Sequence, residues 1–161
     1  MRITRPQMFM EIAHVVSRRS TCCRLNVGAV IVHDRSIISI GYNGRPSGAP
    51  HCEGNDCVGR SGCHEAIHAE ANALSRIAGN VLGDFELYTT DSPCVDCAEH
   101  ITWRLSAGHR IRRVFYDRPY RLRDGIDHLI NLNIPVYRIT PAGYIIDEES
   151  GNIMTAEDID A

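Results

Sequence analysis

The chain has 161 residues, 43% of them hydrophobic and 23% charged, with a formal net charge of −3 at pH 7. That is the length of one domain with enough apolar material to bury a core unaided. The acidic balance argues against a general nucleic-acid binder, which carries a basic stripe, and no apolar run approaches the roughly 20 residues that span a bilayer. Arg110, Arg112 and Arg113, and again Arg118, Arg121 and Arg123, read first as solvated faces. The opening Met1-Arg2-Ile3-Thr4-Arg5-Pro6 has no apolar signal segment, so a cytoplasmic location is expected.

Thr4 and Pro6 start a helix whose apolar positions Met8, Phe9, Ile12, Val15 and Val16 recur at helical spacing up to Arg19. Val27–His33 and Ser36–Tyr42 are β-rich and are split by Asp34-Arg35, which predicts a hairpin. Gly41 to Gly48 is a Gly/Pro-rich loop, and Ala49 to Gly62 runs on without periodicity. An irregular stretch of that length inside a domain points to function or a tie. Glu65 to Ala78 predicts a buried helix stopped by Gly79-Asn80. Then come a strand Phe85–Thr90, a helix from Cys94 to about Ala107 closed by Gly108, a strand Ile111–Tyr116, a helix Asp124–Leu132 and a strand Pro135–Ile139. The tail from Ala142 offers a short strand at Tyr144–Ile146, and its acidic end from Glu157 is expected to be loose. The order predicts an α/β three-layer α/β/α sandwich on a five-stranded mixed sheet, antiparallel at the start and parallel after. A single domain over 1–161 is expected.

Chemistry concentrates in His68-Ala69-Glu70 and Pro93-Cys94-Val95-Asp96-Cys97. One imidazole and two thiolates satisfy three positions of a tetrahedral Zn²⁺ and leave the fourth open, as a catalytic site requires. The pattern H-x-E…P-C-x-x-C is the signature of zinc nucleobase deaminases, in which the Glu moves protons without binding metal. Cys94 and Cys97 open a helix whose positive end favours thiolates. A structural zinc knuckle or a redox C-x-x-C pair is the plainer alternative, and Glu70 weighs against it, because a closed structural site has no use for a carboxylate at its side. Of seven cysteines, five more stand outside this pair, at Cys22, Cys23, Cys52, Cys57 and Cys63, with His51 and His64 beside them. In a reducing compartment such clustering indicates metal rather than disulfides. Cys23 is read as a small buried residue.

The sequence resembles the deoxycytidylate (dCMP) deaminases of bacteria and phages, within the cytidine-deaminase-like superfamily, from about Gln7 to Arg138. The resemblance rests on Ser20-Thr21-Cys22-x-Arg24, Val27-Gly28-Ala29-Val30-Ile31-Val32, Gly41-Tyr42-Asn43-Gly44-x-Pro46-x-Gly48, Ile67-His68-Ala69-Glu70-x-Asn72-Ala73 and Ser92-Pro93-Cys94-x-x-Cys97-Ala98. His51-Cys52, Cys57 and Cys63 belong to it as well. The glycine loop and the extra cysteines narrow the match beyond the superfamily.

This resemblance implies hydrolytic deamination of dCMP to dUMP in a bacterial or phage-infected host cytosol, feeding thymidylate synthesis. His68, Cys94 and Cys97 would hold the catalytic zinc, and Glu70 would shuttle the proton to N3 of cytosine. Arg24 is the implied phosphate contact. Asn43 is the implied sugar contact, with turn geometry as its alternative. Asn26, Ala69 and Tyr116 complete the implied pocket, Tyr116 being equally readable as core. A second, structural zinc would use Cys22, Cys52, Cys57 and Cys63. This chain departs from relatives in reading Gly62-Cys63-His64 before the helix, so His51 or His64 is an alternate ligand. The family is typically hexameric, activated by dCTP and inhibited by dTTP with Mg²⁺, and Asn43, Gly44 and Gly48 match the effector loop. The open alternatives are a related substrate such as dCTP and a non-catalytic zinc-stabilised binding module. Neither nucleic acid nor membrane is expected as a partner.

Overall fold

A computed structural model describes residues 2–54, 65–103 and 108–160. Cys57, Cys63 and His64, and the predicted helix end at Ala107, lie outside the described residues.

Helix α1 (Arg5–Ser17) begins at Thr4, whose hydroxyl accepts from Gln7 N while its own backbone N donates to Gln7 Oε1, a reciprocal cap. Strands β1 (Gly28–His33) and β2 (Ser36–Tyr42) form the expected hairpin. Its two turn residues, Asp34 and Arg35, both have positive φ (45° and 63°), the twist a two-residue hairpin needs. Helix α2 (Ala69–Ser75) is followed by β3 (Gly83–Asp91), α3 (Val95–Trp103), β4 (His109–Arg118), α4 (Asp124–Asn131) and β5 (Val136–Ile139).

The sheet runs β2-β1-β3-β4-β5-β6-β7, with β6 (Ile145–Asp147) and β7 (Ile153–Met154) added by the tail. β1 pairs antiparallel with β2 and β3, while β3–β4–β5 are parallel. Seven strands replace the expected five because the chain after Ile139 turns back and pairs antiparallel onto β5.

Strand alternation divides the core in two. Ala29, Ile31, Phe85, Leu87, Val114 and Val136 meet Ala69, Ala73, Ala98, Ile101, Ile126 and Leu129 from α2, α3 and α4. Val30, Val32, Tyr88 and Phe115 meet Phe9, Met10, Ala13 and Val16 of α1 on the other face. The three-layer prediction therefore holds. Helix α2 lies against β2 because Gly41 has no side chain: a Cβ there would stand 2.3 Å from the Ala69 carbonyl oxygen and 2.4 Å from Ala73 N.

The acidic end is not loose. It forms α5 (Ala156–Asp160), whose Ile159 is buried at 2% exposure among the α1-side residues. Arg113 donates from Nη1 to the Ile159 carbonyl while its Nε holds Glu86 at 2.8 Å. One apolar residue in an acidic run was enough to dock the segment. Burial of such a side chain is worth roughly 1.5–3 kcal/mol.

Candidate active site

The site forms where the N-terminal ends of α2 and α3 converge beside the C-terminal end of β3. His68 is the N-cap of α2 in extended geometry (φ −71°, ψ 153°), so the helix begins four residues later than the expected start at Glu65. Its own carbonyl accepts Asn72 N at 3.0 Å, so the backbone that carries the imidazole is fixed by the helix it begins. Glu70 follows in the first turn and is 4% exposed. After β3, Ser92 and Pro93 lead into Cys94, whose carbonyl accepts the first helical bond of α3 from Ala98 N at 2.9 Å. Cys97 lies within that first turn, buried at 2%.

A second packing contact fixes the Cys94 backbone. Gly125, in α4, is pressed against it so closely that a Cβ would lie 2.1 Å from the Pro93 carbonyl oxygen and 2.7 Å from Cys94 C. A helix thus leans directly on the peptide that delivers the first thiol.

The side chains of His68, Cys94 and Cys97 converge, with their ligand atoms all within 4.8 Å of one another. The imidazole Nδ1 is the inward nitrogen, 3.2 Å from Cys97 Sγ and 3.5 Å from Cys94 Sγ. Around a tetrahedral zinc with Zn–S near 2.3 Å and Zn–N near 2.0–2.1 Å, the N···S separation is about 3.6 Å. The donor types and their spacing fit the ion.

The three side chains are also coupled electrostatically through shared hydrogen bonds. The Cys94 thiol is pushed down to about 4 by a hydrogen bond from Cys97 and another from His68. His68 is pushed up to about 9, chiefly by its bond to the Cys94 sulfur. Cys97 is shifted upward by the thiolate beside it and by burial. Glu70 is raised above the ordinary carboxylate value by desolvation, which favours its neutral, proton-carrying form.

A cleft of about 500 Å³ opens over this cluster, and His68, Ala69, Glu70 and Cys94 form its floor. Arg24 and Asn43 also line it. Asn43 is 8% exposed; its Oδ1 accepts Val27 N at 2.8 Å and its Nδ2 donates to the Leu25 carbonyl at 2.7 Å. It therefore holds the 25–27 wall of the cleft in addition to facing it.

Two residues expected in the pocket are elsewhere. Tyr116 is core, 2% exposed, with its hydroxyl donating to Glu148 at 2.5 Å, because β4 points it under the helices rather than out of the strand end. Asn26 is exposed and does not line the cleft; its carbonyl accepts from Arg118 at 3.0 Å. Gly44 and Gly48 do not line the cleft either. Gly44 exchanges backbone bonds with Ile67, the residue before His68, at 3.1 and 2.8 Å, and Gly48 takes a turn geometry with φ +87°.

Of the expected second metal set, Cys22 is buried and also lines the cleft, while Cys52 N bonds to Thr21 O at 3.3 Å, next to Cys22 in the chain. His51 is exposed. Cys23 is exposed, not buried as its composition suggested. None of the five described cysteines is in a disulfide.

Asp91, Tyr120 and Leu122 line the cleft and were not singled out in the sequence; Arg121, read there as part of a solvated basic face, lines it too. The Ser92 hydroxyl fixes the 120–122 wall by accepting Tyr120 N at 2.7 Å, and the Arg121 guanidinium lies over the Tyr120 ring at 5.6 Å.

Residues 3–116 match the family model "Cytidine and deoxycytidylate deaminase zinc-binding region". The chain belongs to this family. It is 39% identical over 123 residues to ComE operon protein 2 of Bacillus subtilis, an alignment covering 74% of this chain and 62% of that protein. It is 37% identical over 126 residues to the deoxycytidylate deaminase of Mycobacterium phage D29, covering 70% of this chain and 93% of the phage enzyme. The matched segment spans only 32% of the Schizosaccharomyces pombe deoxycytidylate deaminase, so the chain corresponds to part of some relatives. Among solved structures, the dCMP deaminase of cyanophage S-TIM5, crystallised with dCMP and dUMP, superposes with a TM-score of 0.70 at 38% identity, covering 82% of this chain and 94% of that one. No helix among the described residues is long and apolar enough to cross a membrane.

Proposed function

We propose that this chain hydrolyses dCMP to dUMP and ammonia as a zinc-dependent deaminase. One observation carries the reading: a His/Cys/Cys triad with zinc spacing lies at the floor of a cleft, where His68 and Cys94 stand beside the buried carboxylate of Glu70. The family match supports it, as does the likeness to phage dCMP deaminases along nearly their whole length.

When bound by His68, Cys94 and Cys97, zinc supplies a water molecule acidified toward neutrality for attack at C4 of cytosine. The protein's own groups do the rest. Glu70 takes up the proton lost from water, delivers it to ring N3, and serves the departing amino nitrogen in turn. Burial suits it to that task, since desolvation raises its proton affinity and makes the ionised carboxylate a stronger base than an exposed one. Arg24 offers a guanidinium to the 5′-phosphate. Asn43 keeps one amide hydrogen beyond its bond to Leu25 and turns it to the sugar.

A second zinc on Cys22 and Cys52, with Cys57 and Cys63 or the histidines His51 and His64, belongs to the same reading. It would anchor the segment bearing Arg24 beside the cleft. Regulation by dCTP and dTTP with Mg²⁺, a hexameric assembly and a cytoplasmic location complete it. The Gly44–Ile67 backbone bridge gives the glycine loop a route to the metal ligand His68. The testing experiment is ammonia release from dCMP, dCTP, cytidine and deoxycytidine. Preference for dCMP is expected; zinc-loaded protein inert toward all four would leave only a binding module.

A further inference from the structure

Asp91 closes β3 and lines the cleft, yet only 7% of its surface is exposed. All of its side-chain bonds fall on one oxygen: Oδ2 accepts from Thr90 Oγ1 at 2.8 Å and from Arg118 Nη2 at 2.8 Å. Among the described residues Oδ1 has no partner. The Arg118 guanidinium also donates to the Asn26 carbonyl at 3.0 Å, so the carboxylate is tied to the same 25–27 wall that Asn43 holds from the other side. Thr90 Oγ1 in turn accepts Gly28 N at 3.2 Å. The orientation of Asp91 is therefore set by two donors, Thr90 and Arg118, each held in turn by the 26–28 segment, and an acceptor is left over in a cleft built for a ligand. That oxygen is not among the fully buried atoms that lack a partner, so it stands open to the cleft, where a ligand donor can reach it.

We infer that Asp91 is a specificity residue whose Oδ1 accepts a hydrogen bond from a sugar hydroxyl of the bound nucleotide. This rests on the deaminase reading, which fixes the ligand class. An acceptor needs a donor, and a cytosine deoxynucleotide has few. Its amino group is spent at the metal triad and Glu70, and its phosphate would be repelled by a carboxylate. The sugar hydroxyl remains, and the 25–27 wall between Asn43 and Asp91 is where the sugar would lie. Arg118 offsets the charge of Asp91, so the carboxylate does not oppose a phosphate farther along the cleft.

The test is a binding cycle on zinc-loaded protein, using calorimetry with dUMP, its 3′-deoxy analogue and UMP. These ligands lack the 4-amino group, so a base contact cannot imitate the effect. In Asp91→Asn the amide oxygen stays with Arg118 and Thr90, and the NH₂ replaces the acceptor in the cleft. Removing the hydroxyl is expected to weaken binding to the original protein by roughly 10- to 100-fold, and to Asp91→Asn hardly at all. UMP against dUMP separates a 2′ contact from a 3′ contact. Asp91→Ala, checked for zinc content and melting temperature, gives the same comparison if the Asn variant folds poorly. An equal loss for both ligands in variant and original overturns the inference. Coupling without any turnover of dCMP would keep it and overturn the deaminase reading instead.

Discussion

Replacing Gly125 with alanine tests how the fold holds its first thiolate. Two effects oppose each other. Alanine in place of glycine within a helix normally gains about 0.5–1 kcal/mol in chain entropy. Here the new Cβ would stand 2.1 Å from Pro93 O, 2.7 Å from Cys94 C and 2.8 Å from Cys94 O. All three are backbone atoms, which cannot rotate away. Opening the closest contact from 2.1 Å even to 3.0 Å requires a shift of about 0.9 Å between α4 and the Pro93–Cys94 peptide. Over-packing of that kind typically costs about 1–3 kcal/mol, so the clash outweighs the propensity gain. The shift also exceeds the roughly 0.2 Å within which metal–ligand distances are held. Disturbing the support of a ligand typically lowers metal affinity about 10- to 100-fold. Zinc transfer to a chromogenic chelator, with melting curves on loaded and metal-free protein, measures both quantities. Faster zinc loss and a lower melting temperature are expected, with Asn131→Ala in the same helix as an unaffected control. Zinc affinity and melting temperature unchanged in Gly125→Ala would refute the reasoning.

Three other outcomes are expected under the proposed function. Metal analysis should find close to two zinc ions per chain, and Cys52→Ser should remove one and lower thermal stability, since metal binding is coupled to folding; one zinc in the original chain and no change in the variant would remove the second site. Glu70 has a raised folded-state pKa through burial, so its contribution to stability is full below its ordinary carboxylate value and is lost as pH rises through the raised one; metal-free Glu70→Gln should melt near the original protein at pH 4 and above it at pH 8, and the reverse trend would contradict the burial argument. Apparent affinity for dCMP should rise with dCTP and fall with dTTP in the presence of Mg²⁺, by the roughly 5- to 150-fold typical of allosteric coupling; hyperbolic kinetics indifferent to both would leave the Gly41–Gly48 loop as a turn.

The three-layer arrangement was readable because its signals are local. Thr4 with Pro6 announces a helix start, Asp34-Arg35 sits between two β-rich runs, and the apolar residues of α2 recur at helical spacing. The metal triad was readable for the same reason, since His68, Cys94 and Cys97 are unusual residue types at fixed short spacing. What escaped depends on long-range placement. Nothing near Tyr116 tells whether the end of β4 faces the cleft or the core; Glu148, 32 positions away, settles it by taking the hydroxyl. The end of the tail looked loose because its charges hide a single docking residue, Ile159; the first added strand was expected at Tyr144–Ile146, and the second is too short to show periodicity. Asp91 and the 120–122 wall have no motif, and only the register that sets Asp91 opposite Arg118 reveals them.

The most direct test of the account compares dCMP turnover by the original chain and by Glu70→Gln at equal zinc content, following ammonia release. The cluster geometry predicts that the variant keeps its zinc, because Glu70 is not among the converging ligands. Removing a positioned proton-transfer group should lower turnover by roughly 10²–10⁴-fold. Zinc-loaded Glu70→Gln turning over dCMP at the original rate would contradict the central claim.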